Sequence, residues 1–152
     1  VSTCGIIPQI HKFAGEDMPV TLAISLHATT NRLRSSLMPI NRLYPLEDLM
    51  DACRDYIDKT GRRISFEYAL FSGVNDSPDV ARRLVKLLDG MLCHVNLIPG
   101  NDVPDMPYKG SPKDRVENFR QIVQTGGIPV TVRRELGADI MAACGQLRRS
   151  NT

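Results

Sequence analysis

Apolar and polar residues alternate with a period of two in four stretches of the chain. These stretches are 21–26, 63–71, 94–98 and 129–135. In each stretch one set of alternate positions is aliphatic or aromatic, and the other set is mostly small or polar. Because successive side chains of a strand face opposite sides, the pattern predicts four strands that each have one apolar face. Residues 1–3 are predicted to be the end of a further strand.

Between these strands, apolar residues recur at helical spacing, which predicts helices. A short helix is expected over 31–37, ended by Pro39, and a longer one over 45–59, followed by Gly61 as a left-handed cap. Two more helices are expected to begin at Ser-Pro pairs, at 77–78 and 111–112, with the serine as the cap. They are expected to end at Gly90 and at 126–127.

Strands and helices alternate along the chain, so we expect a parallel α/β sheet with right-handed crossovers. A flat sheet that is covered on both faces would have nearly continuous aliphatic strands. Here each strand keeps a polar side, which favours a curved sheet, part of a barrel, with helices outside and a polar cavity inside. Ligands of such folds bind at the carboxyl ends of the strands. The candidate positions are therefore 2–3, 25–27, 71–75, 99–101 and the segment that holds Cys144.

The 152 residues, of which 24% are charged and 42% hydrophobic, are typical of one globular domain. A formal charge of +2 is too small to indicate a nucleic-acid-binding protein by itself. No apolar run is long enough to cross a bilayer, and no secretory signal precedes the first residue. The start within a strand, without an initiator methionine, predicts that the sequence is part of a longer protein.

The four cysteines are widely spaced, with no C-x-x-C pair. This spacing argues against a zinc site or a disulfide framework, and no metal ligands are predicted; it favours a reducing cytoplasm. Cys53 lies in the apolar stripe of the 45–59 helix and is interpreted as a core residue. Cys144 lies among small residues, with arginines at 133–134 and 148–149 that could favour its thiolate. A small buried hydrophobe is the alternative for Cys144.

Three polar residues near strand ends are candidate ligands. Ser25 and His27 share one face of their strand, although His27 could instead cap the next element or make a buried hydrogen bond. Asn101 could reach a ligand from its loop or simply form a turn. The chain contains no Walker A loop, no G-x-G-x-x-G and no metalloprotease helix motif.

Several segments, taken together, match one known family. They are Val-Ser-Thr-Cys-Gly-Ile-Ile-Pro at 1–8, Leu-Ala-Ile-Ser-Leu-His-Ala at 22–28, Met-Pro-Ile-Asn at 38–41, Glu-Tyr at 67–68, Val-Asn-Asp at 74–76, Asn-Leu-Ile-Pro at 96–99 and Ala-Cys-Gly-Gln-Leu at 143–147. In order and spacing, the chain resembles the carboxyl-terminal half of the radical S-adenosylmethionine adenine methyltransferases, the RlmN/Cfr family.

The resemblance implies the carboxyl-terminal portion of a partial (β/α)6 barrel, with parallel strands and outer helices, forming one incomplete domain over 1–152. It implies methylation of carbon 2 of an adenine in 23S ribosomal RNA and, in the RlmN branch, in transfer RNA, in the cytoplasm. The implied cofactors are S-adenosylmethionine and a 4Fe-4S cluster, which needs an electron donor. Cys144 matches the cysteine that carries the methyl group. The residues that match those holding S-adenosylmethionine are Ser2, Ser25, Leu26, His27 and Asn101.

The implied chemistry explains why a cysteine is needed. Carbon 2 of adenine is not nucleophilic and cannot displace a methyl group from a sulfonium, whereas a thiolate can. In the family's scheme Cys144 takes a methyl group from one cofactor molecule. A second molecule, cleaved reductively at the cluster, yields a radical that removes hydrogen from this S-methyl group. The carbon radical adds to adenine, and a second cysteine releases the product by forming a disulfide with Cys144.

The sequence departs from this family in what it lacks. The C-x-x-x-C-x-x-C motif, whose thiolates hold the cluster, is absent. The Gly-Glu cofactor segment, the second catalytic cysteine and the amino-terminal RNA-binding domain are absent too, so the chain alone is expected to be inactive. The alternative is a non-catalytic module that binds an adenosyl ligand or a partner through an open sheet edge. A phosphate-handling barrel enzyme is less favoured, because no glycine-rich phosphate loop is present.

Overall fold

Five parallel strands form one sheet in the order β1-β2-β3-β4-β5. The structure, a computed structural model, describes residues 1–102 and 107–134. The strands are β1 (Ser2–Thr3), β2 (Leu22–Ser25), β3 (Ile64–Leu70), β4 (Cys93–Pro99) and β5 (Val130–Val132). The helices are α1 (Ile7–Ala14), α2 (Asn31–Leu37), α3 (Leu46–Thr60), α4 (Pro78–Leu87) and α5 (Lys113–Thr125), with a 3-10 helix at Pro39–Arg42.

One apolar core lies between the sheet and the helices. The strands contribute one side of their alternating pattern, in which Ile24, Phe66 and Val95 are fully buried. Helices α1, α3, α4 and α5 contribute their apolar stripes to the same core. The other side of the strands is therefore turned away from this core. Within the described ranges, no helix is both long and apolar enough to cross a membrane.

Most predicted elements are confirmed. The four alternating stretches form strands β2 to β5 within the predicted limits or one residue beyond them, and the predicted short helix matches α2. The Ser77 hydroxyl caps α4 by accepting a hydrogen bond from the Val80 N–H at 3.3 Å. Gly61 ends α3 with a φ of 64°, as its predicted left-handed cap requires. Glu135, the last residue of the predicted final strand, lies outside the described residues.

Two features differ from the prediction. Helix α1 was not predicted, although Pro8 stands at a favourable position in its first turn. Ser111 was predicted to cap α5, which is wrong: Pro112 occupies the cap position and no side chain caps the helix. The Ser111 hydroxyl instead donates to Asp76 Oδ2 at 2.8 Å. As a cap, the Ser111 hydroxyl would accept a hydrogen bond from an exposed backbone N–H. The hydrogen bond that it donates to the carboxylate of Asp76, which is only 2% exposed, is charge-assisted and stronger.

Candidate functional site

The sheet side turned away from the core carries a row of polar residues across four strands. Ser25, Glu67, Asn96 and Thr131 are successive partners in the parallel register. We call these four residues the polar row. Ser2 pairs with Ala23 on the same side of the sheet, two positions before Ser25. The sequence pattern had predicted a polar inner side, and the structure confirms that Ser2 and Ser25 share it.

Hydrogen bonds connect the polar row. Asn96 Nδ2 donates to Glu67 Oε2 at 3.1 Å, and Thr131 Oγ1 donates to Asn96 Oδ1 at 3.4 Å. Arg133 Nη2 lies 3.2 Å from Glu67 Oε2 and forms an ion pair with it. The Glu67 side chain is 16% exposed and the Arg133 side chain 45%, so the carboxylate is the more shielded partner of the pair. The network holds one negative and one positive group on the cavity side of the sheet.

The carboxyl end of β2 is held by Arg34, which sequence reasoning missed. Arg34 is completely buried, yet none of the described residues forms a salt bridge with it. Burial lowers the pKa of this guanidinium, and four oxygen acceptors stabilise its charge instead of a carboxylate. These acceptors are the backbone oxygens of Leu26 (3.1 Å), Ser25 (2.9 Å) and Cys4 (2.7 Å) and the side-chain Oδ1 of Asn41 (3.1 Å).

The Leu26 side chain itself lies in the core and is fully buried. Its backbone N–H donates to the Glu67 carbonyl at 3.0 Å, and its carbonyl accepts from Arg34. Any contact of Leu26 with a ligand would therefore be made by its backbone atoms. The Arg34 side chain fixes that backbone on the β1 side, because it also binds the carbonyl of Cys4.

His27 follows β2 and has a backbone conformation that few non-glycine residues adopt. Its φ of 60° lies in the left-handed region, the only such value at a non-glycine position in 1–102 and 107–134. Its Nδ1 accepts a hydrogen bond from the Ala69 N–H at 2.9 Å, so the proton of the neutral ring sits on Nε2. Burial, and secondarily the charge of Arg34, lowers the pKa of His27 to about 4. His27 is thus a neutral side chain with an Nε2–H donor.

The pKa of His27 predicts how stability depends on pH. Above about pH 6.5 the ring is neutral in both the folded and the unfolded chain. As the pH falls below that value, the unfolded chain gains a proton that the folded chain refuses until about pH 4. We expect this residue to lower the free energy of unfolding by roughly 1–2 kcal/mol between pH 7 and pH 5. Melting temperatures of the intact protein over this range test the expectation.

A His27→Asn variant is the control for this pH dependence, because asparagine tolerates a positive φ but has no titrating ring. Its melting temperature should fall less steeply with decreasing pH than that of the unsubstituted protein. Parallel pH profiles in the two proteins would contradict the assignment of His27 as the half-buried ring that stays neutral until about pH 4.

The loop that carries Asn101 leaves β4 and returns against the end of β3. Asn101 is half-buried, and the part of the loop at 103–106 lies outside the described residues. Gly100 and Gly110 meet at the base of the loop, where a side-chain carbon on Gly110 would come within 1.8 Å of the Gly100 carbonyl oxygen. Only glycine fits there. The sequence prediction that Asn101 lies near a strand end is confirmed; its contact with a ligand stays a prediction.

Three of the four cysteines lie within the described residues, where Cys53 and Cys93 are buried and Cys4 is half-buried. Cys144, with its neighbours Arg148 and Arg149, lies outside the described residues. Burial raises the pKa of Cys53 to about 12 and that of Cys93 to about 11, so neither thiol is a nucleophile near neutral pH. The interpretation of Cys53 as a core residue is confirmed, since its side chain is fully buried. Within the described ranges, no cluster of side chains is suited to hold a metal ion.

No protein-family model matches the chain. Individual proteins match it closely: it is 58% identical to a protein of Desulforudis audaxviator and 60% identical to one of Caldanaerobacter subterraneus, over 149 residues in each case. Both are named "Probable dual-specificity RNA methyltransferase RlmN". These matches cover 98% of the chain. Over this span, the chain is similar to proteins of the RlmN family.

The matches cover 47% and 44% of these two RlmN relatives, so the chain spans less than half of their length. A crystal structure of a radical S-adenosylmethionine methyltransferase from Sphaerobacter thermophilus superposes with a TM-score of 0.93 at 53% identity, over 96% of the chain and 43% of that protein. A domain of a pyruvate-formate lyase-activating enzyme from Bacteroides vulgatus superposes with a TM-score of 0.70 at 16% identity, over 88% of the chain and 80% of that domain. The second likeness shows the fold alone. The predicted fold, a portion of a partial radical-enzyme barrel, is confirmed.

Proposed function

We propose that the chain is part of a radical S-adenosylmethionine methyltransferase that methylates carbon 2 of an adenine in 23S ribosomal RNA and in transfer RNA. The observation that carries the proposal is the TM-score of 0.93 at 53% identity to a radical methyltransferase. The names of the sequence relatives support RNA as the substrate. In this proposal residues 1–152 are one incomplete domain of the whole enzyme, which works in the cytoplasm with an electron donor.

The carboxyl ends of β1, β2 and β4 are proposed to hold S-adenosylmethionine. Ser2 and Ser25 supply hydroxyl groups on the polar side of the sheet, and His27 supplies a neutral Nε2–H donor that does not change charge near pH 7. Leu26 adds backbone contacts, and Asn101 adds an amide from the loop that follows β4. A polar side wall with fixed donors fits the ribose hydroxyls and base edge of an adenosyl group.

The described residues fit the adenosyl group but not an iron–sulfur cluster. A 4Fe-4S cluster needs accessible thiolates, whereas Cys53 and Cys93 are buried with raised pKa values. Cys4 is a single half-buried thiol. Cys4, Cys53 and Cys93 are therefore given no role in holding the cluster or in the methyl transfer. When bound, S-adenosylmethionine supplies the methyl group and, with a reduced cluster, the oxidising power to remove a hydrogen atom.

Cys144 is proposed to carry the methyl group to the base. If S-adenosylmethionine is bound, the Cys144 thiolate would accept its methyl group, forming a carbon–sulfur bond as the bond from that carbon to the sulfonium breaks. Cys144 would then hold, as an S-methyl group, the carbon that adenine receives once the bound cofactor has removed a hydrogen atom from it. Arginines at 134, 148 and 149 are candidates for keeping the thiol ionised, since Arg133 already pairs with Glu67.

Mass spectrometry of adenines tests the proposed function. RNA from cells that carry the intact gene should contain 2-methyladenine in 23S ribosomal RNA and in transfer RNA, and both should disappear when the gene is deleted. The gene restored on a plasmid is the control. Methylation of carbon 8, or unchanged 2-methyladenine after deletion, would contradict the proposal.

A further inference from the structure

Two buried polar residues stand beside the proposed cofactor site without a role in it. Asn75 and Asp76 follow β3 in the Val-Asn-Asp segment and are 0% and 2% exposed. Buried amides and carboxylates persist when hydrogen bonds satisfy them, and such networks hold one geometry in place. The hydrogen-bond partners of Asn75 and Asp76 therefore identify the segments that these two side chains hold in place.

Asn75 joins the carboxyl ends of β2 and β3. Its Nδ2 donates to the carbonyl oxygens of His27 at 2.8 Å and Ala69 at 2.7 Å. Its Oδ1 accepts from the Phe71 N–H at 2.8 Å, and its own carbonyl accepts from the Tyr68 hydroxyl at 3.1 Å. The amide uses both donors and its acceptor. It holds His27 by the backbone, while the Ala69 N–H holds the same residue by the ring.

Asp76 joins the turn after β3 to the segment that closes the Asn101 loop. Its Oδ2 accepts from the Ser111 hydroxyl at 2.8 Å, and its Oδ1 accepts from the Gly73 N–H at 3.0 Å. Arg115, in the first turn of α5, lies 3.2 Å from Oδ1 and completes the set. Ser111 follows Gly110, which contacts Gly100 at the base of the loop.

Adjacent side chains thus hold the two segments that flank the end of β3. Asn75 holds the residues after β2, and Asp76 holds the return of the loop after β4. We infer that Asn75 and Asp76 are positioning residues that set the distance between the His27 segment and the Asn101 loop for S-adenosylmethionine. The inference rests on the proposed function, because it takes these two segments to be the cofactor site.

The expected consequence is a change in affinity. If either hydrogen-bond set is broken, the segments spend less time in the binding geometry, and the apparent Kd rises in inverse proportion to the competent fraction. A residue that only stabilises the fold would lower the melting temperature and leave the Kd of the folded protein unchanged. Affinity and stability therefore separate the two roles.

Asn75→Asp tests the link to β2. The substitution keeps size and the acceptor, but it places a carboxylate oxygen against the carbonyls of His27 and Ala69. We expect the Kd for S-adenosylmethionine, measured by equilibrium dialysis on the intact protein, to rise about tenfold or more. The amide of Ala69 should also exchange hydrogen faster without ligand. Asn118→Asp, the same change at an exposed position of α5, is the matched control.

Ser111→Ala is a milder test of the link to the loop, in case Asn75→Asp does not fold. It removes one hydrogen bond to Asp76 and should raise the Kd about threefold to tenfold. Ser36→Ala, at an exposed serine of α2, should leave the Kd unchanged.

Two results would overturn these conclusions, and they differ. A lower melting temperature with an unchanged Kd in both test variants would overturn the positioning role alone. Failure of the unsubstituted protein to bind S-adenosylmethionine would overturn the proposed function, and the positioning role with it.

Discussion

Replacing Cys144 by alanine in the intact protein is expected to abolish methylation of adenine while leaving iron content and S-adenosylmethionine binding unchanged. Alanine cannot accept the methyl group, and neither Cys53 nor Cys93 can take its place, because both are buried thiols with raised pKa values. We expect a loss of at least about a thousandfold, as for removal of other covalent nucleophiles. Mass spectrometry of an RNA substrate measures the product.

Cys4→Ala is the control for this experiment. Cys4 is half-buried at the end of β1, and its sulfur has no part in the proposed reaction. Its alanine variant should methylate RNA at a rate close to that of the unsubstituted protein. Product at normal levels from Cys144→Ala would refute the role of Cys144 as methyl carrier.

Replacing Arg34 by methionine is expected to cause the largest loss of stability. Methionine fills similar space but leaves the carbonyls of Ser25, Leu26 and Cys4 and the amide oxygen of Asn41 without their donor. Unsatisfied buried acceptors cost about 1–3 kcal/mol each, and the loss of a buried charge relieves part of this. We expect the free energy of unfolding to fall by about 3 kcal/mol or more, measured as a lower melting temperature of the intact protein.

Arg32→Met is the matched control, since Arg32 is exposed on the same helix and should tolerate the change within about 0.5 kcal/mol. Arg34→Lys should recover part of the stability: it keeps the charge and three donors but not the planar fork that reaches four acceptors. If Arg34→Met melted at the same temperature as Arg32→Met, the four hydrogen bonds would not stabilise the strand ends as described.

The fold could be predicted largely because each strand has faces of opposite polarity. The alternation over Ile64–Leu70 is complete, with every second residue buried, and such a pattern can be recognised from the sequence alone. The prediction for Ser111 failed for a physical reason: its hydroxyl binds Asp76, 35 positions away. A Ser-Pro pair indicates only the local backbone geometry. It does not show that a residue distant in the sequence binds the serine hydroxyl. Helix α1 was missed although Ile7, Ile10 and Ala14 recur at helical spacing and pack in or against the core.

Candidate site residues could be predicted where the type and spacing of the side chains indicate a position at a strand end. The spacing of Ser25 and His27 places them at one strand end, as the structure has them, and their contact with a ligand stays a prediction. Arg34 was missed because three of its four acceptors are backbone carbonyls, which every residue has. Asn75 was included among the candidate strand-end positions 71–75 and in the Val-Asn-Asp motif, but nothing local indicates that its amide joins two strands.

The backbones of Gly100 and Gly110 contact each other at the base of the loop that they flank. The two backbones close on each other beside the end of β3, where Gly100 N–H donates to the Leu70 carbonyl at 3.2 Å and the Phe71–Gly110 bridge continues the closure. Insertions or deletions beyond this closure are transmitted weakly to the strands, because a closed loop grows at small entropic cost. A change in the number of residues between Gly100 and Gly110 is therefore expected to leave the sheet unchanged.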